Sequence, residues 1–306
     1  SAGAVGRNEY WRIPGAMMGG HAWPAEQGFS LDEMSLSLGY RIDGNFFARA
    51  KAAQHGSQGD HSEVAIEHAS IGYLCCGDET RWIAETGRLS ALFSPSIAQH
   101  ASSQVFVDTP LIADVFLGRH FHDDGLRLRR QAEHGLSIGM ELWRGHAFPA
   151  SADEKGGAAD LFATLQQQHG RLRLEAGLWS LFARAWQRPD HRYSDEHSHA
   201  GPNVEPVADI RFTGDSVLGG LHGRVQWQLS PHRALALRAE WMMVRADGDI
   251  SDPTRQALIS SRYSGILLQP ELRLGRHQFA LRGEQLVLDN HLTGAAAQAL
   301  AALALA

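Results

Sequence analysis

Three imidazoles and two carboxylates fall within nine positions of the stretch HRYSDEHSHAG (191–201): His191, Asp195, Glu196, His197 and His199. Imidazole nitrogen and carboxylate oxygen are the donors that a borderline ion such as zinc accepts in a tetrahedral set. His197 and His199, one residue apart, can chelate, with His191 and either acid completing the shell. HFHDD at 120–124 offers a second set in His120, His122 and Asp123, although acids placed before a glycine also cap turns. A site built from loop residues loses ordering entropy on binding, and its affinity falls as imidazoles protonate near about pH 6. The plainer reading is a solvated loop of mixed charge. Which of the two applies depends on the elements that carry these loops.

Those elements have a period of two. In 217–229, Val225, Trp227 and Leu229 alternate with Arg224, Gln226 and Gln228; in 233–245, Leu235, Leu237, Ala239 and Trp241 alternate with Ala236, Arg238 and Glu240. The same alternation recurs in 31–42, 136–142, 171–178, 268–274 and 279–284, the mark of strands with one apolar face. Tight turns at 43–45, 75–78, 133–135, 168–170, 230–232 and 275–277 alternate with long links at about 55–62, 94–123, 146–157, 188–216 and 248–258. The pattern predicts an all-β fold: an antiparallel up-and-down transmembrane β-barrel of about twelve or more strands, with long loops on one side and short turns on the other. A soluble sandwich or lipocalin-like barrel alternates too, but here the strands are long and no connection leaves the meander.

The boundaries expected are an irregular lead-in over 1–28, the barrel over 29–290, and an Ala/Leu-rich tail over 291–306 that is helix-prone or disordered. No segment reads as an N-terminal plug domain. With lipid outside, the polar face lines the lumen. That places Arg127, Arg129, Arg171, Arg173, Glu175, Arg224, Arg238, Glu240, Glu271, Arg273, Arg282 and Glu284 inside, as a selective constriction or as a salt-bridged filling.

Composition narrows the partners. Lys+Arg 28 against Asp+Glu 34, a net charge of -6, gives no basic field for nucleic acid. Mean hydropathy is -0.26, and no stretch approaches the roughly 20 apolar residues of a membrane helix. Adjacent Cys75 and Cys76 cannot staple distant segments and read as part of a turn. No nucleophile elbow, P-loop or dinucleotide fingerprint is present, so the expectation is a non-enzyme.

Several stretches resemble, in order, the bacterial outer-membrane proteins known as zinc-regulated TonB-dependent receptors: WRIPG (11–15), EQGFSLDEMSLSL (26–38), FVDTPLIADVFLG (106–118), HDDGLRLR (122–129), ELWRGHAFPA (141–150), VADIRFTGDS (207–216) and RADGDIS (245–251). The resemblance implies a barrel in the bacterial outer membrane, a link to zinc supply, and uptake or sensing of metal at the cell surface. Combined with the His-rich loops, it points to a channel or receptor that binds zinc or another divalent ion outside and assists its entry. Its partners are then outer-membrane lipid, a metal ion or small solute, and another outer-membrane protein or further copies of the chain. A closed barrel that binds a protein partner, and a general porin without metal preference, are the alternatives.

Overall fold

The computed structural model describes residues 13, 15–20, 33–55, 64–76, 80–98, 105–106, 108–150, 155–190 and 209–304. Strands β1 (Glu33–Arg41), β2 (Phe46–His55), β3 (Val64–Cys75) and β4 (Thr80–Ser90) lead into two short helices, α1 (Pro95–Ala98) and α2 (Leu111–Leu117). Then follow β5 (His122–Ala132), β6 (Leu136–Trp143), β7 (Gly157–His169), β8 (Leu172–Pro189), β9 (Arg211–Ser230), β10 (Arg233–Ser251) and β11 (Gln256–Leu274). The chain ends in β12 (His277–Ala280), β13 (Gly283–Thr293) and α3 (Ala297–Ala304).

Each strand pairs antiparallel with the next, in a single sheet ordered β1 to β12, and β13 also pairs with β11. β12 and β13 are two parts of one strand. β12 matches Glu271–Leu274, β13 matches Leu258–Leu268, and the register runs on unbroken between them, with Leu281 and Arg282 opposite Pro270 and Gln269. The meander therefore has twelve ladder positions, as the turn pattern predicts. Among the described residues no pairing joins β1 to β13.

The strand faces sort as the alternation requires. Leu126 and Leu128 on β5, Ile138 and Leu142 on β6, Leu178 and Phe182 on β8, and Leu221 and Val225 on β9 all point outward and are exposed. Leu178 is 57% exposed and Leu221 54%. In water a belt of this kind would forfeit roughly 25 cal/mol for every Å² of apolar surface, whereas lipid removes that penalty. Towards the long-loop end, β8 to β11 carry an outward polar row: Arg184 pairs with Asp215 at 2.7 Å, Arg245 with Asp247 at 2.8 Å, and Ser260 donates to Asp247 at 2.7 Å. There the wall leaves the bilayer. No helix is long and apolar enough to cross a membrane among the described residues, so the strands do the crossing.

Two features differ from the sequence reading, the length of the strands and the bonding of the cysteine turn, while the helix-prone tail is helical. The strands are longer than the alternation marks, so the link expected over 188–216 narrows to 190–210 and that over 248–258 to 252–255. FTGDS at 212–216, counted within that link, is strand. Cys75 and Cys76 are bonded to each other in the β3–β4 turn. The tail forms α3, whose Leu300 is buried beside Met17, Ile210, Phe212 and Ile250.

Candidate functional site

The interior is not an aqueous channel along its whole length. The link between β4 and β5 turns inward instead of covering the mouth, and its helices pack on inward residues of the wall. Phe93, Ile97, Ile112, Val115, Phe116 and Phe121 form one core with Trp143, Trp179, Leu218, Met242, Tyr263 and Leu267. Ala16 and Met18 from the N-terminal segment join the same core. Two inserted pieces, 15–20 and the described parts of the β4–β5 link (91–98, 105–106 and 108–121), thus fill the half of the lumen nearer the long loops. The filling is apolar as well as salt-bridged, and it is built from an internal link and the lead-in, not from a separate domain.

Glycine permits the two pieces to meet. Gly118 ends α2 in the left-handed region (φ 64°) and Gly20 also has positive φ (67°). A Cβ on Gly20 would lie 2.7 Å from the Gly118 carbonyl oxygen, and one on Gly118 would lie 2.8 Å from that of Gly19. Only a bare backbone fits such an approach.

Polar tethers hold the plug to the wall. Ser96 at α1 donates to Glu240 at 2.7 Å and accepts from Arg238 at 2.8 Å, and Arg238 is itself paired with Glu240. The Leu111 N–H donates to Glu284 at 2.6 Å and Arg282 donates to the Asp108 carbonyl at 2.6 Å. Arg282 reaches that contact from the inward face, in the gap between β12 and β13 opposite Gln269. Asn290 donates to the Gly15 carbonyl at 2.6 Å and the Met18 N–H donates to Asp190 at 3.2 Å.

Beside the plug a buried charge ladder crosses neighbouring strands. Arg127 bridges Glu85, at 3.2 Å, and Glu141, while Arg49 also pairs with Glu85. Asp160, opposite Glu141 in the register, accepts from the Trp143 indole at 2.6 Å. Buried ions are tolerated only when paired in this way. Further towards the short turns, Arg224 pairs with Glu271 at 2.8 Å and Gln166 donates to Glu175 at 3.1 Å.

Most of the residues expected inside therefore face the interior, in both roles considered: Arg127, Arg238, Glu240, Arg282 and Glu284 fasten the filling, while Arg129, Glu175, Arg224 and Glu271 line the half left open. Arg173 and Arg273 lie exposed near the short turns, Arg273 donating to Gln228 at 3.1 Å. Arg171 is a correction: it sits in the β7–β8 turn and donates to the Leu229 carbonyl at 3.2 Å, so it caps a turn and lines nothing.

The metal-ligand candidates divide. His191, Asp195, Glu196, His197 and His199 lie outside the described residues. His120 and His122 sit side by side at the long-loop end, ring centroids 5.6 Å apart, with His122 contacting Ser90 at 3.0 Å and standing 3.9 Å from Glu67. Asp123 turns away from them. Fully buried, it accepts the N–H groups of Gly145 and His146 at 2.7 Å each and of Asp124 at 2.8 Å, so it shapes the start of the β6–β7 link. Among the described residues no group of three or more His, Cys, Asp or Glu is placed to hold a metal. Sequence reasoning missed His68 and His222, both inward on strands. Their positions in the alternation would have found them.

A chamber of about 510 Å³ remains on the short-turn side. Its lining includes Pro95 and Ala98 of α1, Phe162, and the polar Arg129, Ser137 and Thr164. The β5–β6 turn contributes its rim through Glu133 and Gly135.

No family model matches the chain, and no curated protein does. Solved structures similar to it include the trimer form of in-vitro folded OmpT, an outer membrane protein of Vibrio cholerae, at 13% identity over 84% of this chain and 80% of that one, with a TM-score of 0.36. Another structure of that protein gives 11% over 84% and 79%, TM-score 0.31. Salmonella typhi OmpF in complex with daunomycin gives 9% over 85% and 89%, TM-score 0.29. The chain's own walls define its class, which is an all-β transmembrane barrel wall enclosing a plug. An up-and-down antiparallel wall with an apolar exterior belongs to the bacterial outer membrane, and that is where this protein resides.

Proposed function

We propose that this protein is a gated outer-membrane barrel that captures zinc or another divalent ion at its long loops and lets it pass inward when the plug yields. The observation that carries the gating is the filled upper lumen: a general porin needs a continuous aqueous path, and segments 15–20, 91–98 and 108–121 occupy it. Metal capture is supported by the donor types in the sequence 191–199 and by His120 and His122, which stand at the long-loop end of the wall. The resemblance to zinc-regulated receptors of the outer membrane points the same way. Nothing in this reading requires catalysis. The filled lumen also favours a second reading, a closed barrel whose loops bind a protein partner.

Flux into proteoliposomes separates these. Zinc and a neutral sugar are offered to the unaltered protein, to His197→Ala with His199→Ala, and to Ser96→Ala with Arg282→Ala, which releases two plug tethers. The gated metal channel gives zinc entry that the histidine variant loses and the tether variant raises. Equal entry of zinc and sugar in all three indicates a general pore. No entry of either, even with the tethers cut, leaves the partner-binding barrel.

A further inference from the structure

The plug leaves one cavity with an unmet chemical demand. Arg127, Arg224, Arg238 and Arg282 each have a carboxylate partner. Arg129, two residues along the same inward face of β5, has none among the described residues, and its Nε is buried without a hydrogen bond. Both belong to one strand and one face, yet only one is paired. A guanidinium N–H withdrawn from water with no acceptor is costly, and such groups are rare in folded proteins unless something else meets them.

Arg129 lines the 510 Å³ chamber, and so does His222, whose buried Nδ1 also makes no hydrogen bond. His222 has its place because residue 177 opposite is glycine: a Cβ there would come within 2.3 Å of the ring. Between these two groups the inward register row carries Gln131, Ser137 and Thr164 on β5, β6 and β7, all of them neutral and able to donate. The acids do not compete for the same donors. Glu175 accepts from Gln166, Glu133 stands in the turn at the rim, and Glu85 and Glu141 are already bridged by Arg127. Among the described residues the chamber therefore presents a buried Arg129 N–H that no acceptor of its lining meets. Its far side is closed by α1 and Phe162, so a ligand enters from the short-turn side, which faces the periplasm in an outer-membrane barrel.

We propose that this chamber is a periplasm-side binding site for a small oxyanion, a phosphate or a short carboxylate, held by the Arg129 guanidinium with the neutral donors around it. A planar guanidinium binds either group through charge-assisted hydrogen bonds. The site is distinct from metal capture at the opposite end and does not depend on it. Its location under α1 places the bound anion against the floor of the plug.

The test is calorimetric titration of the purified full chain in detergent, with inorganic phosphate and separately with succinate, in buffer free of other oxyanions. Saturable binding of at least one is expected. Phosphate alone assigns phosphoryl ligands, and succinate alone assigns carboxylates. Arg129→Gln should weaken binding about tenfold or more, while Arg276→Gln, an exposed turn residue, leaves it unchanged. Should Arg129→Gln fail to fold, Thr164→Leu fills the same chamber from β7 and must abolish binding in its place. No saturable binding of either anion, or binding that the folded chamber variants leave unaltered, overturns the proposal.

Discussion

The two halves of the lumen are built from the same strands and behave oppositely. On β9 the inward residues nearer the loops are Phe212, Ser216 and Leu218, buried, and those nearer the short turns are His222, Arg224 and Gln226. On β10 Met242, Val244, Ala246 and Ile250 give way to Glu240 and Arg238 in the same sense. The upper half excludes water through packing, whereas the lower half keeps a polar chamber. Alternation alone fixes which face turns inward; the residue types on that face decide whether the interior is filled or open. A gate needs both, a seal that is tight and a space into which something can enter.

The comparison breaks most sharply at the charge ladder on the border between the halves. Arg127→Ala leaves Glu85 and Glu141, both buried, without their shared cation. The expected loss is ~3–5 kcal/mol, read as a fall in the denaturant midpoint for unfolding from lipid vesicles. A loss below ~1 kcal/mol would mean that water reaches the ladder and that the upper half is not dry.

A matched pair on one strand sharpens the contrast. Leu218 is 1% exposed and packs on the plug, so Leu218→Ala should cost about 3 kcal/mol through lost contacts and the cavity left behind. Gln226, four pairs of residues further along the inward face of β9, should tolerate Ala with a change under ~0.5 kcal/mol. Equal effects would erase the distinction between a packed half and an open one. Ser96→Ala comes next in size. It removes the hydroxyl between Glu240 and Arg238, at an expected cost of ~1–3 kcal/mol, and should appear first as more frequent current fluctuations in single-barrel recordings.

How much of this could be read beforehand follows from what alternation can and cannot encode. The wall was legible because lipid outside and polar groups inside impose opposite chemistry on successive residues, as in Leu235 to Trp241. The plug was not, because an apolar filling makes both faces of a strand apolar and erases the alternation. WMMV at 241–244 and LWSLFARAW at 178–186 are such places: Met242, Val244, Trp179 and Leu181 face the plug while Trp241, Met243, Leu178 and Phe182 face lipid. The signal was present as a strand apolar on both sides, and it states that something apolar lies inside. The inward placing of 91–98 and 108–121 carried a weaker sign. LFSPSIA and PLIADVFLG are too apolar for a loop in water. Asp123 was hidden for another reason, since an acid that accepts the backbone N–H groups of Gly145, His146 and Ala147 in a distant link looks in sequence like any metal ligand.

The rim of the wall gives the smallest predicted effect and asks whether the loop end is held by the plug or by its own turns. Between β10 and β11, Asp252 accepts from the N–H groups of Thr254 and Arg255 at 2.8 and 2.7 Å and from the Arg255 side chain at 2.7 Å. Burial pushes this carboxyl up, but those hydrogen bonds outweigh it and hold it below the usual carboxylate range. A group depressed on folding contributes stability above its unfolded pKa of about 4, and that contribution is lost as pH falls through the folded value. Amide protection in 252–256, corrected for intrinsic exchange, should therefore be constant between about pH 7 and 5 and decline towards pH 2. Asp252→Asn should flatten that decline while leaving protection in α2 unchanged, because α2 packs in a different core from Ile250 and Ala257, which flank the turn. If α2 loses protection with it, the rim and the plug open as one unit, and the seal extends to the loop ends of the strands.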